Sequence, residues 1–254
     1  MTGRRAALLA AAACAVAAAA PARAEGIVAS LSQTRITIDS DFTGAELVVF
    51  GVIERDAATV SRPGGYDVVV VVRGPREAVV TRRKDRFLGI WVTRESRTFS
   101  AVPSFYALAS TRLLDRIADP RILAENDIGL AYADFGERSV SSDDPFRQAL
   151  VRLKTSTRLF VERTGSVEML TPTFFRATLP LPAIVPDGGY TVETVVFSDG
   201  ARVASRTLAL TVEKVGFEER VHRLAFDEPL VYGLGVVALA LVTGWLGGVV
   251  FRRD

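Results

Sequence analysis

The chain has 254 residues, 49% of them hydrophobic, and its 31 basic and 29 acidic residues give a formal net charge of +2. Five of the basic residues and one acidic residue lie in the two terminal segments, which leaves 26 basic against 28 acidic residues elsewhere. This near-neutral balance argues against a nucleic-acid partner. With one cysteine, Cys14, and one histidine, His222, the chain has no internal disulfide and no histidine-rich metal or haem site.

The first 24 residues have the pattern of a secretory signal peptide. Arg4 and Arg5 precede an apolar run at residues 6–20, and Ala22-Arg23-Ala24 fits a cleavage site of the small-x-small type. We therefore expect residues 1–24 to be removed. The alternative is an uncleaved first membrane helix, although the run is short and consists mostly of alanine.

The last apolar segment is long enough to cross a membrane. Leu230 to Phe251 contains 22 residues without a charge. A helix of that length spans about 33 Å, and the hydrocarbon core of a bilayer is about 30 Å thick. We predict a transmembrane helix over residues 229–251, with a buried core helix as the alternative. Arg252 and Arg253 follow it, so the positive-inside rule assigns residues 252–254 to the cytoplasm.

These two segments predict the topology of the chain. A signal peptide and a C-terminal anchor place the intervening domain in the periplasm and make the chain a single-pass protein of the inner membrane. A juxtamembrane segment, residues 217–228, connects domain and anchor. The lipid bilayer is therefore one expected partner, and a three-residue tail is too short for a cytoplasmic function.

Residues 25–103 form an N-terminal region rich in predicted strands. Apolar runs such as Ala45–Ile53 and Phe87–Val92 alternate with turn residues. Val68 to Val72 is an uninterrupted β-branched run that stops at Gly74-Pro75. Because this run does not alternate with polar residues, we predict a central strand that is buried on both faces.

Residues 104–165 change to a helical period and are predicted to form a helical insert. The clearest helix begins at Pro145 with Asp144 as its N-cap, and it is expected to end at Gly165. Its basic side either contacts an anionic lipid or a partner or, more simply, is a solvated face over a packed apolar stripe. The basic residues are Arg147, Arg152, Lys154, Arg158 and Arg163.

Residues 166–216 return to the strand period. Leu208, Leu210 and Val212 alternate with small or polar residues, as in a strand with one face in the core. Ser198 to Ala201 predicts the turn of a hairpin. The sequence LPAIVPDGGYTVETVVFSDG is similar to the closing strands of immunoglobulin-like sandwiches, which indicates a fold but no function.

The predicted fold is therefore mainly β with a helical insert. It consists of an immunoglobulin-like β-sandwich outside the membrane and one C-terminal transmembrane helix. Length alone allows one composite sandwich domain or two small ones.

Several segments are spread from residue 42 to the C-terminus: FTGAELVVFGVI, DVVVVVRGP, VPSFYALAS, LPLPAIVPDGGYTVETVVFSDG and GWLGGVVFRRD. In these segments the chain resembles the alphaproteobacterial putative transmembrane protein family. The resemblance covers nearly all of the chain after the signal peptide. It implies an inner-membrane protein that faces the periplasm, and it implies no catalytic residue.

No catalytic site and no cofactor is expected. The sequence has no Walker-type glycine loop, no G-x-S-x-G elbow and no nucleotide fingerprint. Asp39 with Asp41, and Asp143 with Asp144, are candidate calcium ligands whose spacing fits turns and helix caps better. His222 is interpreted as an interfacial side chain. Paired carboxylates for glycoside chemistry stay open, since their spacing is three-dimensional.

The predicted membrane helix has a candidate packing face for another helix. Gly244 and Gly248 form a small-x-x-x-small pair, and Trp245 is the bulky residue beside it. Small residues let two helices approach closely in a membrane, so this face is the predicted contact for a membrane-protein partner. Three further glycines are expected on the same face: Gly233, Gly235 and Gly247.

Two functions from different classes fit the sequence. The first is a non-enzymatic accessory protein that assists a membrane complex or a transporter by contact. The second is an anchored periplasmic module that binds or senses a small solute. An exposed apolar patch together with a helix-packing face favours the first function, and a pocket with converging polar groups favours the second.

Overall fold

The structure is a computed structural model that describes residues 26–38, 43–54, 65–136, 141–214, 221 and 224–250. The predicted signal peptide, Cys14, Asp39, Asp41, His222 and the predicted tail lie outside these residues, as does much of the juxtamembrane segment. In the described residues the fold is mainly β with helices, and one apolar helix follows near the C-terminus, as the sequence predicts.

The described residues form twelve strands in three sheets. A four-stranded sheet has the order β1-β3-β10-β9, a six-stranded sheet has the order β2-β12-β11-β4-β7-β8, and β5 pairs with β6. Neighbouring strands are antiparallel except β2 with β12 and β7 with β8, which are parallel. The strands are β1 Gly26–Leu31, β2 Arg35–Ile38, β3 Gly44–Glu54, β4 Asp67–Arg73, β5 Arg76–Phe87, β6 Ile90–Pro103, β7 Tyr106–Ser110, β8 Phe160–Thr164, β9 Val167–Met169, β10 Phe174–Pro182, β11 Gly188–Ser198 and β12 Ala201–Lys214.

The two larger sheets pack face to face around one apolar core. Alternate residues of β3 and β10 meet alternate residues of β4, β11 and β12 in this core. The N-terminal strands β1 and β3 pair with β10, and β4 pairs with β11. Strands from both ends of the chain therefore share each sheet, and they build one composite unit, which we call the β domain (residues 26–214).

Strand β4 is the centre of the six-stranded sheet, as its valine run predicts. All five valines from Val68 to Val72 are fully buried. Val68, Val70 and Val72 belong to the core between the sheets, whereas Val69 and Val71 point into a second core on the opposite face. Since both faces of the strand are apolar, the sheet needs a cover on each side.

Helices provide the second cover. The described helices of the β domain are α1 Leu114–Ile117, α2 Pro120–Glu125 and α3 Pro145–Ser156. They contribute Ile117, Leu123 and Leu150 to the second core. The prediction of a helical insert over the whole range 104–165 is wrong at both ends, because β7 and β8 lie there and complete the six-stranded sheet.

Helix α3 begins where the sequence predicts and ends earlier. Asp144 is its N-cap and accepts hydrogen bonds from the backbone N–H groups of Phe146 and Arg147. The helix stops at Ser156 because the next turn contains Arg158 in a left-handed conformation, with φ of 59°. The chain then enters β8, where Phe160 pairs with Tyr106 of β7 and lies in the second core.

A long hairpin extends from the six-stranded sheet. The N–H of Gly74 donates to the carbonyl of Phe105, and the N–H of Ser104 donates to the carbonyl of Pro75. These bonds join the β4–β7 ladder to the β5–β6 ladder. The predicted strand run Phe87–Val92 is the tip of this hairpin, because the chain reverses at Leu88 and Gly89.

The apolar C-terminal helix, α4, spans Pro229–Val250. This agrees with the predicted bounds of 229–251 to within one residue. None of its membrane-length segment, Pro229–Gly248, is buried against other described residues. The described residues therefore give no support to the alternative of a buried core helix.

The N-cap of α3 yields a test of the fold. Asp144 also forms an ion pair with Arg97, with 2.7 Å between Nη1 and Oδ2. Replacement of Asp144 by Ala is expected to lower the free energy of unfolding by about 1–2 kcal/mol, because two helical N–H groups lose their acceptor. The measurement is denaturant unfolding of the full-length protein in detergent, followed by near-UV circular dichroism.

The neighbouring Asp143→Ala variant is the matched control. Asp143 is exposed and does not cap the helix. Equal destabilisation by the two variants would contradict the assigned cap.

Candidate functional site

The predicted partner face lies on α4, and its surface is open in the structure. A Cβ atom added to Gly244 or Gly248 would meet no atom within 4 Å, apart from the backbone of the helix itself and chain neighbours. The side chain of Trp245 is 68% exposed. The hydroxyl of Thr243 donates to the carbonyl of Leu239, so this polar group is satisfied within the helix. An approaching helix would therefore meet a surface without an unpaired hydroxyl.

The positions of the glycines around α4 follow from the rotation of about 100° per residue in an α-helix. Gly233, Gly244 and Gly248 fall on one side of the helix, and Gly247 and Trp245 flank that side. Gly235 falls on the opposite side, nine residues before Gly244. The expectation that Gly235 adds to the packing face is therefore wrong.

A polar cavity of about 520 Å³ lies where β4 ends and β11 begins. Two of its arginines pair with the carboxylate of Glu193, and its lining also includes Glu125 and Asp127. Arg73 is 2.7 Å from Glu193, and Arg202 is 3.8 Å from the same carboxylate and donates to the side chain of Asn126. Arg76 also lines the cavity, and no described residue forms an ion pair with it. The cavity thus offers one unpaired cation to a ligand.

Several side chains of this region bind the backbone of one irregular loop, residues 126–133. Arg73 donates to the carbonyls of Asn126 and Asp127, and the N–H of Gly129 donates to the hydroxyl of Tyr106 over 2.8 Å. The N–H of Leu130 donates to Glu162. These bonds satisfy backbone groups that no helix or sheet satisfies.

Arg147 makes the largest set of contacts with this loop. Its Nη2 donates to the carbonyls of Leu130, Ala131 and Ala133, at 3.0, 3.3 and 2.8 Å. Its guanidinium lies 4.4 Å from the ring centroid of Phe135. The residue is buried, so the interpretation of this basic side chain as part of a solvated face is wrong.

Burial shifts the pKa values of three groups in this loop cluster. It raises the pKa of the Glu162 carboxyl, and it also acts on Tyr106 and Arg147. Complete burial raises the pKa of Tyr106, so its hydroxyl keeps its proton while it accepts the N–H of Gly129. Burial lowers the pKa of Arg147, and the negative charges of Asp134 and Asp144 oppose this effect. A guanidinium remains charged in proteins. Tyr106 and Arg147 thus hold the loop through hydrogen bonds and do not act as an acid or a base.

The tip of the β5–β6 hairpin is a surface that the sequence analysis did not single out. Phe87, Leu88, Ile90 and Trp91 are exposed there, in a stretch that is flanked by arginine and lysine. The sequence contained a signal, since an apolar run between basic residues is unusual for a turn. The run nevertheless predicts a strand, because its apolar residues fit the strand pattern.

The candidate calcium ligands do not form a metal site in the residues that the structure describes. Asp144 caps α3 and pairs with Arg97. Across the described ranges, no group of three or more His, Cys, Asp and Glu side chains is placed to hold a metal ion.

The described residues thus define a protein with a two-sheet β domain, a helical layer and one exposed apolar helix that is long enough to cross a membrane. Residues 26–253 match the family described as Putative transmembrane protein (Alph_Pro_TM), and the chain belongs to that family. The match confirms the resemblance seen in the sequence. Together with α4 it fits a single-pass membrane protein.

A comparison with solved structures finds Spo0M, a sporulation control protein from Bacillus subtilis. The sequence identity is 14% and the TM-score is 0.26, over 75% of this chain and 50% of that chain. This chain therefore spans half the length of that protein. A comparison with curated protein sequences finds no match.

Arg147 yields a test of the loop cluster. Replacement of Arg147 by Ala is expected to lower the free energy of unfolding by about 2–4 kcal/mol, because the buried carbonyl of Ala133 and two partly buried carbonyls lose this donor. The measurement is denaturant unfolding of the full-length protein in detergent. Limited proteolysis should also cut within residues 126–133 faster than in the unsubstituted protein.

The control is Arg152→Ala, on the exposed side of the same helix. A solvated basic face would give small and similar effects for the two arginines. That result would contradict the assigned role of Arg147.

Proposed function

We propose that the protein is a non-enzymatic accessory subunit of a membrane complex or transporter. In this proposal α4 anchors the chain in the inner membrane and contacts a partner helix. The β domain, which we propose to be of immunoglobulin-like type, faces the periplasm and acts by contact with the extramembrane part of the same partner.

The observation that carries this proposal is the spacing of Gly244 and Gly248 on one side of α4, a helix that no other described residue covers on any side. Within a bilayer the lipid tails are as apolar as leucine, so association between helices depends on close packing and not on the hydrophobic effect. Glycines without neighbours permit such an approach. A chain that used its helix as an anchor alone would not need this spacing.

The proposed orientation is supported by the two ends of the chain. Residues 1–24 have the composition of a signal peptide, and Arg252 and Arg253 follow α4. Both features favour a β domain in the periplasm and a cytoplasmic C-terminus.

Binding of a small anionic solute is the second candidate function. The polar cavity at the end of β4 supports it, because Arg76 lies there without an ion pair to a described residue. Arg73 and Arg202 already pair with Glu193, Arg73 also binds the loop backbone, and the carboxylates of Glu125 and Asp127 in the lining disfavour an anion. We therefore favour the accessory function.

The orientation can be tested with reporters fused after Asp254. Green fluorescent protein, which fluoresces after folding in the cytoplasm, is expected to be fluorescent in this fusion. Alkaline phosphatase, which needs the oxidising periplasm, is expected to be inactive in the same position. The opposite pair of results would reverse the proposed topology.

The partner contact can be tested by crosslinking in cells, gentle solubilisation and identification of the proteins that co-purify. A transporter or membrane complex is expected with the unsubstituted chain. It should be lost with Gly244→Leu/Gly248→Leu, because two leucine side chains fill the space that the partner helix needs.

Gly235→Leu is the matched control, since it adds the same side chain on the opposite side of α4. It should retain the partner, and its membrane level should equal that of the double variant. If no membrane protein co-purifies with the unsubstituted chain, α4 is an anchor alone and the proposal fails. The β domain would then be screened for anionic solutes, with Arg76→Ala as the comparison.

A further inference from the structure

The tip of the β5–β6 hairpin carries an exposed apolar cluster. Phe87 and Ile90 are 57% and 63% exposed, Leu88 is 89% exposed, and Trp91 is 69% exposed. They follow one another around a two-residue turn, so apolar side chains cover both faces of the tip. Exposure of such a cluster to water is unfavourable, and it indicates a surface that contacts another molecule or a membrane.

The residue at the apex is an unusual choice for its backbone conformation. Leu88 has φ of 49° and Gly89 has φ of 89°, which are the values of a turn that favours Asn-Gly or Asp-Gly. The turn between β11 and β12 has the same conformation and uses Asp199-Gly200. A leucine in this position is strained. The aspartate at position 199 adopts the same conformation at a lower steric cost. Backbone strain of this kind is concentrated at functional positions, which directs attention to the apex.

The shaft next to the tip is strongly basic. Residues 81–97 contain six basic and two acidic residues, an excess of four positive charges in a protein whose extramembrane part is nearly neutral. The two acidic residues already face Arg83 and Arg94. The side chains of Arg82, Lys84 and Arg86 have no ion pair with any residue that the structure describes.

The hairpin and the membrane helix depart from the same end of the six-stranded sheet. Strands β4 and β12 are both antiparallel to β11, so they run in the same direction, and Thr191 pairs with both Arg73 and Ala209. From there β4 continues through Gly74 into the hairpin, while β12 continues to Lys214. Residues 215–228 then separate Lys214 from α4, so the hairpin and the segment that leads to α4 leave the same end of the sheet.

We propose that the β5–β6 hairpin is a second membrane contact, whose tip inserts into the headgroup region of a bilayer that contains anionic phospholipid. Phe87, Leu88, Ile90 and Trp91 enter the interface, where tryptophan and phenylalanine are favoured. Arg82, Lys84 and Arg86 bind the lipid phosphates. The combination of apolar tip and unpaired cations matches an anionic lipid surface. A protein partner or a second copy would need acidic groups opposite the shaft.

This proposal does not depend on the partner contact at Gly244 and Gly248. It requires only that α4 lies in the bilayer, which holds the hairpin near the lipid surface. The test therefore uses the full-length protein in lipid vesicles without any partner.

The two tryptophans of the chain, Trp91 and Trp245, make the test direct. In the Trp245→Phe variant, Trp91 is the only fluorescent indole. The vesicles contain brominated phosphatidylcholine, with or without phosphatidylglycerol. With phosphatidylglycerol, Trp91 is expected to show a blue-shifted emission and to lose about half of its intensity to the bromines. The Trp91→Phe variant reports α4 through Trp245, which should be quenched in both kinds of vesicle.

Leu88→Asn separates membrane insertion from folding of the hairpin. Asparagine suits the turn better than leucine, so thermal stability should stay equal or rise. Quenching of Trp91 should nevertheless fall, because the apex has lost its apolar side chain. Unchanged quenching in this variant would overturn the assignment of Leu88 to the membrane.

The basic shaft is tested with Arg82→Gln/Lys84→Gln/Arg86→Gln. This triple variant should lose most of the additional quenching that phosphatidylglycerol causes. The control is Arg116→Gln/Arg121→Gln/Arg152→Gln, which removes the same charge from exposed helical positions. This control should retain the additional quenching. Equal loss in both triple variants would reject lipid binding by the shaft.

Two other results would overturn the proposal itself. Emission of Trp91 at the wavelength of indole in water, without quenching, would show that the tip stays in solvent. A blue shift that is insensitive to the bromines and rises with protein density would show that the tip packs against a second copy of the chain.

Discussion

Burial of the central strand on both faces is the constraint on which the rest of the β domain depends. The valines of β4 alternate between two cores, so neither face of the six-stranded sheet tolerates water. Strands β3 and β10 cover one face. The helices and the base of the β5–β6 hairpin, with Phe99 and Val102, cover the other. The valine run from Val68 to Val72 therefore requires a layer on each side of the six-stranded sheet.

The second cover is irregular, and this explains where the polar side chains of the domain are used. Residues 126–133 have few regular backbone partners, so Arg73, Tyr106 and Arg147 supply hydrogen bonds to them. Arg73 and Arg147, which would otherwise suggest a ligand site, donate their hydrogen bonds to the loop backbone. This leaves few free charges in the polar cavity, whereas α4 and the hairpin tip both expose large apolar side chains.

Short sequence patterns correctly predict the features that depend on residues close together in the chain. The valine run predicts the buried strand β4, and Asp199-Gly200 predicts the turn of a hairpin. Asp144 predicts the helix cap of α3, and the uncharged C-terminal run predicts the exposed helix α4. The errors concern features that depend on distant residues. Helix α3 ends early because Phe160 pairs into the sheet beside β7, and Arg147 is buried because a loop folds over it. The hairpin tip was missed because leucine occupies a turn position that sequence rules assign to asparagine.

A second membrane contact would change what the anchor can do. A domain held by a single helix and a connecting segment samples many orientations, and any partner surface on it is presented only part of the time. A hairpin tip alone binds lipid weakly, but α4 confines it near the bilayer, and the high effective concentration makes weak insertion sufficient. With two points of attachment the β domain has a preferred face toward the membrane. The open glycine side of α4 and the β domain can then meet the same partner in one fixed geometry, which a single anchor does not provide.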